Sequence, residues 1–239
     1  MAPTIAVMIQ LLVSSPFPMF IEDLIKAFDL HRNAENAFHM KAYMRNKFDF
    51  FGIKATERRR ILREVIIENR SEVRNDFRSI VEALYQYPQR ELHLCAMEIF
   101  FSFAENRFER QDLKQIEFLI CTNSWWDTVD YIAKHILGSF LKQFPDLVEA
   151  VLERYSNSND LWLKRSTILF QLGYKNNTDK SLLFNQCQKF SDSKEFFLQK
   201  AIGWALREYA RINPEDVLNF VNSHDLKPLS KREAIRNII

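Results

Sequence analysis

The stretch from Trp125 to Gly138, WWDTVDYIAKHILG, opens with two tryptophans and two aspartates in six residues and continues with apolar residues at helical spacing. Two later segments share its layout, DLWLKRSTILFQLG over 160–173 and EFFLQKAIGWALREYA over 195–210. Stacked on one another, they bring Asp130, Arg165 and Lys200 to one position at steps of 35 residues, and Gly138 and Gly173 keep the same interval. A period in the thirties with two helices per unit marks a stacked helical repeat, in which equivalent positions line up along one surface. Helix pairs of similar length can share a spacing by chance, but core positions in a repeat are apolar. Three ionisable residues in register therefore imply a lined groove rather than a packed seam.

Composition points to the same class. Of 239 residues only four are glycine and seven proline, while hydrophobic residues make up 47% and charged ones 27%. Helix formers dominate every long segment, and breaks at Pro88, Pro145, Asn157 to Asp160 and Asn213 with Pro214 divide them. The expectation is an all-α protein, an α-α superhelix or solenoid of HEAT-like repeats forming one domain over residues 19–239. Residues 1–18 read as an N-terminal extension that need not be ordered, with Met19 as an alternative start. Its apolar run from Ile5 to Val13 is shorter than a bilayer span and lacks the basic start of a secretory signal. No membrane segment is expected.

The formal charge is +2, from 33 Lys and Arg against 31 Asp and Glu, so a polyanionic partner would have to meet a local patch. Cys95, Cys121 and Cys187 are odd in number and far apart, which fits neither a disulfide framework nor a zinc site. A reducing, cytoplasmic setting follows, with no metal or organic cofactor expected. His31, His39, His93, His135 and His224 show no catalytic pairing.

Ser124 and Asp127 form a capping pattern that would start the helix at Trp125, which gives Asp127 a structural role. Asp130 sits in the second turn, where a short carboxylate competes with the backbone. It shares a helical face with Trp126 four residues back. The plain alternative is a solvated aspartate beside a core tryptophan. Trp125 and Trp162 are expected in the core. Trp162 precedes Arg165 by three residues, and Lys200 is followed by Trp204 and Arg207 at helical spacing. Basic clusters lie at Lys41, Arg45 and Lys47 around Tyr43, at Arg58, Arg59, Arg60 and Arg63, and at Lys231, Arg232 and Arg236. Cations interleaved with aromatics suit a nucleic-acid backbone, although basic helix faces are commonly just solvated.

Taken in order, YMRNKFDFFGI, ERRRIL, SWWDTVD, WLKRSTILFQLGYK, DSKEFF leading into LQKAIGWALREYA, and LSKREAI resemble the AlkD-type DNA alkylation repair glycosylases, built from HEAT-like repeats. The resemblance runs from about Ile21 to the end. It implies a C-shaped stack whose concave face holds duplex DNA, and removal of cationic alkylated purines such as 3-methyladenine and 7-methylguanine without extruding the base, unlike the usual base-flipping strategy. It also implies Asp130 as the catalytic aspartate, with Trp126 and Trp204 as its aromatic partners. Arg165 would grip a phosphate and Tyr43 would contact the DNA backbone; Lys47, Lys200 and Arg207 are further candidate DNA contacts. A monomer is expected. The competing reading is a non-catalytic helical scaffold that binds DNA or a protein along its groove.

Overall fold

The structure, a computed structural model, describes residues 18–238. The expected extension lies outside the described residues, save for Pro18 at the N-cap of the first helix. Regular structure among the described residues is helical, with an isolated bridge between Asp49 and Gln89. No described helix is long and apolar enough to cross a membrane. The chain falls into two compact units, divided between Ile99 and Phe100.

The first unit holds α1 (Met19–Leu30), α2 (Ala34–Tyr43), α3 (Ala55–Glu68), α4 (Arg70–Leu84) and most of α5 (Arg90–Ala104). Helix α1 buries Phe20, Ile21, Leu24 and Phe28 along one stripe and packs on α3 and α4. Between α2 and α3 the chain runs through an apolar loop whose amides belong to no helix. The buried Glu91 carboxylate accepts hydrogen bonds from Phe51, Gly52 and Ile53 N–H at 3.2, 2.9 and 3.2 Å, which satisfies them. The arginine cluster of α3 is not one surface patch. Arg58 is buried and donates to both carboxylate oxygens of Glu98, Arg59 donates to the same group, and Arg60 pairs with Glu64.

The second unit contains α6 (Asp112–Cys121), α7 (Trp126–Tyr131), α8 (Gly138–Gln143), α9 (Val148–Ser156), α10 (Leu161–Leu169), α11 (Lys180–Lys189), α12 (Phe196–Tyr209), α13 (Pro214–Ser223) and α14 (Pro228–Ile235). These elements alternate as helix pairs, and the second helix of successive pairs carries Asp130, Arg165 and Lys200. This is the α-α superhelical repeat that the spacing predicts. Helix α10 packs on α12, and α12 on α14. Leu169, Ile202, Leu206 and Val217 are fully buried in the shared core, each contributing roughly 1.5–3 kcal/mol through burial. Gly173 closes the turn after α10 at φ +84°, a backbone conformation that side chains disfavour.

Helices α7 and α8 are joined by a turn of π-helix over Ile132–Leu137. A π turn accommodates an extra residue and re-aims the face of the helix that precedes it, and such turns concentrate at functional sites. Here it follows directly on Asp130 and Tyr131. Ile132, Ala133, Ile136 and Leu137 within it are buried, so packing holds it in place.

Candidate active site in the second unit

Helix α7 starts one residue later than the capping pattern predicts. Trp125 is the N-cap, with no side-chain cap, because the Ser124 hydroxyl instead donates backwards to the Ile120 carbonyl at 2.6 Å. Asp127 lies in the first turn, where its charge suits the helix dipole. Trp125 is buried, as expected, and packs edge-on against Trp162 and Phe197 at centroid distances of 5.7 and 5.1 Å. Trp162 and Phe197 stand 5.0 Å apart, which completes an aromatic floor.

Above that floor the repeat register becomes contact. Arg165 Nε donates to Asp130 Oδ1 at 2.7 Å and Nη2 to Oδ2 at 2.9 Å, the fork geometry in which guanidinium and carboxylate bind most strongly. Arg165 Nη1 donates to the Phe197 carbonyl, which ties the pair to α12. The side chains are 5% and 15% exposed respectively. Asp160 fixes the start of α10 by accepting from Trp162 and Leu163 N–H at 2.7 and 3.0 Å, and so fixes Arg165 one turn on. Burial pushes the Asp130 carboxyl above the ordinary aspartate value, against the opposing pull of Arg165.

Trp126, Asp130, Arg165, Phe196, Phe197, Lys200, Trp204 and Arg207 line a single open cavity of about 270 Å³. Its far wall rests on a residue absent from the sequence-based expectations, Glu233 of α14. Glu233 Oε1 lies 3.2 Å from Lys200 Nζ and Oε2 lies 2.7 Å from Arg207 Nη1. The approach of α14 depends on Gly203, where a Cβ would stand 2.4 Å from the Glu233 Cβ.

The sequence model of the family described as DNA alkylation repair enzyme matches residues 24–238. The chain belongs to this family. A solved structure described as a predicted DNA alkylation repair enzyme from Enterococcus faecalis superposes with a TM-score of 0.78 at 28% identity, covering 87% of this chain and 96% of that one. Among curated proteins no sequence matches.

Within this DNA repair family member, the cavity gathers six of the eight expected site residues: Asp130, Trp126, Trp204, Arg165, Lys200 and Arg207. Tyr43 and Lys47 belong to the first unit, both exposed, at the end of α2 and in the turn after it. Arg165, expected at a phosphate, directs its guanidinium to Asp130 and the Phe197 carbonyl. Phe196 and Phe197 lie in the 195–210 segment but carry no polar signal that would single them out. Glu233 stands 33 residues beyond Lys200, two short of the repeat step, so the register alone could not find it.

Proposed function

We propose that this family member is a DNA glycosylase that hydrolyses the N-glycosidic bond of positively charged alkylated purines, 3-methyladenine and 7-methylguanine among them, in duplex DNA. The observation that carries this reading is the Asp130 carboxylate, held by Arg165 at a cavity that Trp126 and Trp204 also line. An alkylated purine already carries positive charge, so its departure needs little general-acid help. When the C1′–N bond breaks, its electron pair leaves with the base, which becomes neutral, and the deoxyribose takes up cationic character.

Asp130 stabilises that developing charge electrostatically and orients the water that adds to C1′, accepting the proton the water sheds. The indoles favour a cationic sugar by roughly 0.5–2 kcal/mol each. Burial raises the Asp130 carboxyl, which makes its anion a better proton acceptor than an exposed aspartate. The cavity lining is aromatic and charged, which suits selection by the charge of the lesion, in keeping with action without base flipping. Because Arg165 is committed to Asp130, the phosphate beside the lesion falls to Lys200 and Arg207.

The deciding experiment measures free 7-methylguanine released from methylated duplex DNA by the intact protein and by Asp130→Asn. The expected result is release by the first and a loss of roughly a hundredfold or more in the second, with DNA affinity largely kept. Equal release by both would remove Asp130 from the chemistry, and none from either would favour the scaffold reading.

A further inference from the structure

Lys200 and Arg207 stand seven residues apart on one face of α12, about 10 Å along its axis. Two like charges so placed would separate into solvent if left alone. One carboxylate draws them together. Glu233, 8% exposed, binds Lys200 through one oxygen and Arg207 through the other, and Arg207 Nη1 also donates to the Glu233 carbonyl at 3.0 Å. The contact is built into the fold. Gly203 admits α14 to close approach, and Ser230 Oγ donates to the Gln199 carbonyl at 3.1 Å, one residue before Lys200.

The charge balance says what this arrangement is for. Among the lining residues and Glu233, three cations stand against two carboxylates, a net of one positive charge. One phosphodiester carries one negative charge. Lys200 gives Glu233 one of three N–H groups and remains 39% exposed, so it retains donors for a second anion. The cations in turn hold the Glu233 carboxyl below the ordinary glutamate value, Arg207 foremost, so the clamp stays ionised at neutral pH.

We propose that Glu233 is a positioning residue that presents Lys200 and Arg207 as a paired grip for one DNA backbone phosphate beside Asp130. This rests on the glycosylase reading for its consequence, since a sugar held out of place by its phosphate reacts slowly even when bound.

The test is Glu233→Gln, compared with the intact protein for binding of undamaged duplex across a salt series and for single-turnover release of 7-methylguanine. The substitution frees one positive charge, so affinity for undamaged duplex is kept or raised and the slope of log K against log salt steepens by about one. Release slows by about fivefold or more, because the grip is no longer fixed. A residue that merely staples α14 would instead lower the melting temperature and weaken binding and release together. An unchanged rate with an unchanged slope overturns the proposal. If the intact protein releases no base, the glycosylase reading fails and Glu233 is judged by the slope alone, steeper keeping the proposal and equal overturning it. Where Glu233→Gln does not fold, Glu233→Asp is measured instead; it keeps the charge, so the slope stays equal, and a smaller slowing of release supports the proposal while an unchanged rate overturns it. Failure of both variants to fold assigns the carboxylate to holding α14 and overturns the proposal.

Discussion

Arg165 and Asp130 meet fork to fork, at 2.7 and 2.9 Å, from positions one repeat apart. The pair is nearly out of water, so removing either member would leave a buried charge uncompensated. Burial raises the Asp130 carboxyl and Arg165 lowers it, burial being the larger effect. In the proposed mechanism Asp130 acts as the anion, so activity should be lost as pH falls through its value in the folded protein. Arg165→Ala removes the partner that lowers it and moves that acidic limb to higher pH, whereas Arg165→Lys keeps the charge and moves it less. A profile of kcat/KM against pH checks this, and a limb that stays in place in Arg165→Ala would uncouple the two residues.

The same sign governs stability. A carboxyl raised on folding binds its proton more readily in the native state, so its ionisation erodes stability as pH rises from the ordinary aspartate value through the folded one. Asp130→Asn should abolish that fall without removing the shape of the site. Urea unfolding midpoints measured across the acid range for both proteins test it, and parallel curves would contradict it.

In the proposed mechanism Trp126 and Trp204, which line the cavity, favour a cationic sugar. Replacing either with Ala should slow release of cationic 7-methylguanine by roughly two- to thirtyfold, the kinetic equivalent of about 0.5–2 kcal/mol. Trp204→Phe should retain part of the rate, since a smaller ring keeps some of the quadrupole. Single-turnover rates settle the matter, and an alanine variant as fast as the intact protein would reduce that tryptophan to packing.

The legible part of this site was its register. Asp130, Arg165 and Lys200 at steps of 35 residues announced a common surface, and two of the three bond directly. What stayed hidden depends on geometry that residue type does not encode. Ser124 can cap forwards or bond backwards with the same hydroxyl, and only the end of α6 decides. The π turn after Tyr131 has no residue signature, because it arises from how Ile132 to Leu137 pack. Arg165 looked like a phosphate ligand because spacing reveals a face but not its depth. Glu233 lies off the repeat step, on a helix whose approach is set by a hydrogen atom at Gly203 in place of a side chain.

In the first unit, Glu91 supports a loop rather than a reaction. Glu91→Ala should leave the Phe51, Gly52 and Ile53 amides buried without their acceptor and destabilise that unit by about 3 kcal/mol or more, at 1–3 kcal/mol for each orphaned donor. Glu91→Gln keeps one oxygen and should cost less. Denaturant unfolding measures both, and an alanine variant within about 0.5 kcal/mol of the parent would mean that water reaches those amides.

Gly203→Ala sets two effects of opposite sign against each other on α12. Alanine is the better helix former by roughly 0.5–1 kcal/mol in a helix interior. Its methyl, however, would lie 2.4 Å from the Glu233 Cβ and 3.1 Å from the Ser230 carbonyl oxygen, and neither neighbour is the end of a flexible chain. Overpacking of this kind costs about 1–3 kcal/mol, so the clash prevails and α14 must move outward. The expected result is a lower melting temperature together with slower base release, because Glu233 withdraws from Lys200 and Arg207 as its helix retreats. A variant that melts higher than the parent would show that α14 yields freely, and the close seat of Glu233 on α12 would then be incidental to the site.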